Sequence, residues 1–242
     1  MITLDLTEAK VFEVLGNVLL AILPDGVEVV QAQVNRVPEV KADDFVIMTP
    51  LRRPRLSTNE DEYEDCYFVG SMEDDELTVT EVKIGVLASP HMIFGANVLD
   101  KTDIGEQVSG TPGGIGVYKI SKPQTIASQN FAAGVGRLTQ HTEFTFQLDV
   151  HGPNSGDNAQ RISTVLRDEY GVQLFDPEVT GITPLYADDP RQGPYTNDQQ
   201  QVENRWMIET NLQINPTVIV PQQFAGAVEI DLVNVDAEFP IQ

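Results

Sequence analysis

Residues 142–170 carry the clearest alternation in the chain, with Phe144, Phe146, Leu148 and Val150 on one side and Thr145, Gln147 and Asp149 on the other. That period of two predicts a strand with one face buried. A second period comes directly after it. Ala159, Ile162, Val165, Leu166 and Tyr170 recur at three- and four-residue steps, which puts them on one stripe of a helix. Gly152 and Pro153 break the strand, and Ser155 or Asp157 stands ready to accept the free amide hydrogens of the first helical turn. Gly171 falls where helices commonly end in the left-handed conformation. The predicted core is this strand and helix, packed apolar face to apolar stripe.

The same patterns extend in both directions. Residues 11–23 form an apolar run interrupted by Glu13 and Asn17, opened by Thr7 and stopped by Pro24-Asp25-Gly26. They predict an amphipathic core helix, too short to span a bilayer. With no basic region before it and no small-residue cleavage site after it, the run is not a signal peptide. Strands are expected at residues 27–34 and 45–49, the second closed by Pro50, and residues 51–68 are expected as a charged loop. From 69 to 129 the texture changes: short β-like runs at 77–80, around Val108 and at 115–120 are separated by Gly, Pro, Ser and Asn, with no helical period. This predicts an all-β insert at 69–129 between two halves, 1–68 and 130–242, of a discontinuous core. Its Gly-rich stretch GTPGG (residues 110–114) is followed by no Lys-Ser or Lys-Thr and no helix opens there, so a hairpin turn rather than a phosphate loop is expected. Further strands are expected at 179–186, 217–220 and 228–235, and a long polar loop at 187–201. The best alternation of all sets Trp206, Ile208, Thr210, Leu212 and Ile214 against Met207, Glu209, Asn211 and Gln213. The fold class expected is α+β: a mixed or antiparallel sheet with packed helices, interrupted by a small all-β insert.

Charge and candidate chemistry narrow the function. The 242 residues suffice for one large domain or two small ones, and 37 acidic against 15 basic residues give a net charge of −22. Such a surface disfavours binding nucleic acid through phosphate neutralisation. Cys66 is the only cysteine, which excludes an internal disulfide and a thiolate zinc site. The three histidines, His91, His141 and His151, are too far apart to define a site by spacing. Asp149, His151 and Asp157, with Asp188 and Asp189, are the residue types that hold hard or borderline cations. The competing reading makes Asp157 a helix cap and leaves the other aspartates facing water. No G-x-S-x-G elbow occurs, and the acidic run around Cys66 disfavours its thiolate. The expectation is a protein that is not an enzyme and holds no cofactor or metal. Arg52, Arg53 and Arg55 form the one basic cluster, followed by Glu60, Asp61, Glu62, Glu64 and Asp65. These are either a solvated loop or a contact between subunits, since adjacent opposite charges suit head-to-tail pairing.

Several blocks together resemble the neck or tail terminator proteins of tailed bacteriophages. They are NRVPE (35–39), FVIMTPLRRPRLSTN (45–59), QLDVHGPNSGDNAQRISTVLRDEYGV (147–172), TPLYADDPRQGPY (183–195), ENRWMIETNLQINP (203–216) and VPQQFA (220–225), in the family's order. Two further blocks, GVLASPHMIFGANV (85–98) and GTPGGIGVYKISKPQTIAS (110–128), resemble a Gly-rich β module of phage virion proteins. The first departs from it, with Ser89-Pro90 where Val-Gly is usual and Ala96-Asn97 where a Gly-rich turn is usual. The resemblance implies a terminator-like fold and a structural protein of the virion, assembled in the host cytoplasm as a ring of six subunits between head connector and tail. The implied partners are further copies of the chain, connector or adaptor proteins, and tail tube proteins, with sheath proteins in a contractile tail. DNA would pass through the ring without specific binding, and no membrane is involved. The candidate contacts between subunits are Arg52, Arg53, Arg55, Glu60, Asp61, Asp188, Asp189 and Arg191, and the insert would serve as decoration or contact. Two alternatives stand beside it: another virion role, such as a tail tube or minor tail component, and a metal-dependent enzyme using the Asp149 group.

Overall fold

A computed structural model of the chain describes residues 2–32, 42–89, 91–193, 195–196 and 202–223. In chain order the first elements are β1 (Thr3–Leu4), α1 (Glu8–Ile22), β2 (Glu28–Gln31), β3 (Phe45–Arg52), β4 (Glu60–Glu73), β5 (Glu76–Ile84), β6 (Met92–Phe94), β7 (Ile104–Gly110), β8 (Gly116–Ile120) and β9 (Ile126–Thr139). Then come β10 (Thr142–His151), α2 (Ser155–Val165), α3 (Glu169–Phe175), α4 (Pro177–Thr180), β11 (Ile182–Ala187), β12 (Arg191–Gln192), β13 (Tyr195–Thr196), β14 (Val202–Glu203), β15 (Arg205–Ile214) and β16 (Thr217–Pro221). They fall into two compact units. One comprises Tyr63–Gly136 with the described part of Val220–Gln242; the other comprises Ile2–Glu62 with Arg137–Ile219.

The second unit bears the helices and is built on the two alternating strands. β10 and β15 pair antiparallel in unbroken register from Thr142↔Ile214 to His151↔Arg205. Phe144 therefore stands opposite Leu212 and Leu148 opposite Ile208, so both alternations put apolar residues on the same face. The sheet order is β11-β15-β10-β3-β2, with β12 on β15, and only the β2–β3 pair is parallel. Helices close the apolar face. Phe12, Leu15 and Leu19 of α1, Ala159 and Ile162 of α2, Leu166 and Phe175 are buried against Val46, Phe146, Leu148 and Ile208. Phe12 meets Phe146 edge-on, with ring centroids 5.2 Å apart.

Local signals explain most of the boundaries. The hydroxyl of Thr7 accepts from the Lys10 amide at 3.3 Å and opens α1. α2 departs from expectation at both ends. Its N-cap is Asn154 rather than Ser155 or Asp157, and the Asn154 side chain donates to Asp44 at 2.8 Å instead of capping the helix. The helix stops at Leu166, because the side chain of Asp168 accepts from the Tyr170 amide at 2.9 Å and starts α3. Tyr170 thus leaves the stripe and is exposed. Gly171 ends nothing: it lies buried within α3, where a Cβ would come 2.2 Å from the carbonyl oxygen of Val165. Pro50 does not close β3. The strand runs on to Arg52, with Pro50 still opposite Phe146 of β10, while among the described residues β2 accompanies it only as far as Met48.

In the other unit, among the described residues, every element is a strand. The order is β9-β4-β5-β8-β7, with β6 on β9. Phe68, Met72, Leu77, Val79, Ile104, Tyr118 and Phe131 form its own core. The GTPGG stretch turns β7 into antiparallel β8, with the Thr111 amide donating to the Ile115 carbonyl at 2.8 Å.

The expected α+β class with packed helices is overturned. Strand makes up 50% and helix 18% of the described residues, in four helices, and two mainly antiparallel sheets carry the architecture. The missing strand was hidden by charge and by small residues. In β4 the side facing the core begins only at Cys66, Phe68 and Met72, behind a run of exposed acids, so residues 60–68 read as loop. In β9, Ala and Gly fill buried positions and weaken the β signal. Residues 179–186 divide between α4 and β11. Expectations for residues 33–34, the 35–39 block, Pro90, residues 197–201 of the polar loop, residues 224–225 and the 228–235 strand lie outside the described residues.

Candidate functional site

Asp149 and His151 share the polar face of β10, opposite the apolar one, and both are buried. Their surroundings are already occupied. Oδ1 of Asp149 accepts from Nη2 and Nε of Arg205 at 2.6 and 3.0 Å, and Nε2 of Gln147 donates to both carboxylate oxygens at 2.9 and 3.0 Å. The His151 ring stacks on Phe45, centroids 4.7 Å apart and 4° from parallel. Asp157 lines a cleft of about 360 Å³ with Asp25, Asp43, Asp44 and Arg161. Asp188 works through its backbone, its carbonyl accepting from the Ser163 hydroxyl at 3.0 Å, while Asp189 pairs with Nη1 of Arg167 at 2.9 Å. The five candidates for a cation are thus not brought together. Among the described residues no group of three or more His, Cys, Asp or Glu side chains could hold a metal ion. Burial, and then the charge of Asp65, push the Cys66 thiol up to about 11, so it is protonated at neutral pH.

The charged candidates are spread along strands and their edges. Nε of Arg52 donates to Oγ1 of Thr145 at 3.3 Å. The Arg53 guanidinium lies 3.9 Å over the Phe144 ring and pairs with Glu8, a partner no spacing rule would find. Arg55 is exposed, its backbone bridging to Thr142. Glu60 opens β4 and meets His141, Asp61 is exposed, and Arg191 pairs with Glu209 at 3.2 Å. Arg55 and Asp61 make no ion pair with another described residue. The partners of His141 lie 81 residues away at Glu60 and 74 away at Asn215, beyond the reach of any local pattern. The Asn215 amide oxygen, and then the Glu60 carboxylate, hold its imidazole above the ordinary histidine value.

Fold and surface define a class: a strand-rich, acidic protein of two units. Comparison with known families is more specific. The chain matches the model of the phage neck terminator protein over residues 96–238, more than half of its 242 residues, and it belongs to that family. The match takes in residues 96–129, part of the segment expected as an insert. No curated protein matches the chain. Membership makes it a structural protein of the phage neck or tail, a component of the virion in contact with other virion proteins. Among the described residues no helix is long and apolar enough to cross a membrane.

Proposed function

We propose that the chain assembles as a closed ring of six copies at the top of the tail, ending the tail and joining it to the head connector. The observation that carries this is the family match over residues 96–238. The ring is contacted by connector or adaptor proteins above and by tube proteins below, with sheath proteins in a contractile tail, and DNA passes through it without specific binding. A ring needs heterologous contacts, in which each subunit presents two different complementary patches. The basic segment Arg52, Arg53, Arg55 meets acid of the neighbouring subunit, drawn from Glu60, Asp61, Asp188 and Asp189, with Arg191 at its margin. Arg55 and Asp61 carry most of this pairing, because Arg53 and Arg191 are already engaged within the chain. Residues 69–129 serve as a contact or decoration module. Sedimentation of the purified protein and of Arg55→Glu tests the reading. A hexamer is expected for the parent and weakened association with an unchanged fold for the variant. A parent that stays monomeric at assembly concentrations would overturn the ring, and a variant that associates as the parent does would remove Arg55 from its interface.

A further inference from the structure

His141 occupies the turn between β9 and β10, and both nitrogens of its ring face acceptors. Nδ1 lies 2.8 Å from Oδ1 of Asn215, and Nε2 lies 3.3 Å from Oε2 of Glu60. Nε2 of Gln213 donates to that same Asn215 oxygen at 3.1 Å, which makes it the acceptor end of the amide. Nδ1 must therefore carry a hydrogen. Nε2 faces a carboxylate, which when ionised only accepts. A neutral imidazole has one N–H and would turn a lone pair on one of these two partners, whereas imidazolium donates to both.

The three residues also share a position along the chain. The chain passes from one compact unit to the other after Glu62, after Gly136 and after Ile219. Glu60 begins the strand that makes the first crossing, His141 follows the strand that makes the second, and Asn215 precedes the strand that makes the third. We propose that His141 is a protonation-dependent clamp, tying together the roots of these three crossing strands within the helix-bearing unit. Glu60, from β4, supplies the charge that acts on the ring. The end of β15 contributes the neutral Gln213, and the β15–β16 turn the neutral Asn215. The 54–56 segment brings Arg55, through its backbone bridge to Thr142, and the Leu56 amide, which donates to the His141 carbonyl at 2.9 Å. On the ring's own element the neighbours are the neutral Gln140 and Thr142 and, beyond them, Glu143, whose amide donates to the Pro54 carbonyl.

Because the imidazole is held above its unfolded value, about 6.5, its contribution to stability is fully present below that value and is lost as pH rises through the folded one. The clamp is closed in mild acid and opens toward alkaline pH.

The test is an NMR titration of the three histidine rings in the full chain, together with amide exchange at Leu56 and at Gln140, which donates to the Pro216 carbonyl at 3.1 Å. His141 is expected to titrate above free histidine. Protection at both amides, corrected for intrinsic exchange, is expected to fall roughly two- to tenfold as pH rises through that midpoint. Glu60→Gln lowers the midpoint, and His141→Gln removes the pH dependence of protection. A wild-type His141 that titrates at or below the free value, or a midpoint unmoved in Glu60→Gln, overturns the clamp. The wild-type titration decides even if a variant fails to fold.

Discussion

At the scale of single residues, the seam between α2 and the sheet is closed to solvent. Ala159 and Ile162 are wholly buried, and Leu166, the last of that stripe, is 2% exposed. Leu166→Ala removes packed methyl groups from a site walled by helix and strand. It is expected to cost about 2 to 5 kcal/mol in denaturant unfolding. A loss under about half a kcal/mol would mean that the seam lies elsewhere. These three positions were legible, because a 3.6-residue period and a buried face say the same thing. Tyr170 and Gly171 were not, because Asp168 restarts the helix and turns both residues away from the line of the α2 stripe. Gly171 is still required, but by the backbone of Val165 pressing on it rather than by a left-handed end. The candidate cation group was misleading for a similar reason. Asp149 and His151 do share a face, as alternation demands, yet the arginine that neutralises Asp149 comes from β15, 56 residues away, which no local pattern announces.

At the scale of elements, α1, β10 and β15 were legible and β4 and β9 were not. The first three carry an unmixed apolar face with clear stops, whereas β4 spends its first residues as exposed acid before its inner face begins. Acidic strands lose their alternation to the eye, since Glu60, Glu62 and Glu64 would mark one face only if their neighbours were apolar. The energetic consequence concerns the segment 69–129. All the buried residues that hold α1, α2 and the β10–β15 pair together lie outside it. Replacing 69–129 by a short Gly-Ser linker is therefore expected to leave a cooperatively unfolding core, followed by circular dichroism in denaturant. A broad, non-cooperative transition would show that the segment is integral to the fold rather than a module set into it.

At the scale of the whole molecule, the excess of acid calls for a physical account. A narrow low-dielectric passage focuses the field of its lining, and a basic lining would bind phosphates and retard DNA. With a net charge of −22 per chain, a ring has ample acid to line a hole. The exposed carboxylates at the start of β4, from Glu60 to Glu64, and the Asp188–Asp189 corner are the places from which such a lining would come. The central claim is the ring itself, and images of the purified protein by electron microscopy test it most directly. The expected result is a closed six-fold ring with a central hole lined by Asp and Glu. Single chains at assembly concentration, open tubes in place of rings, or a ring whose hole is basic or apolar would contradict it.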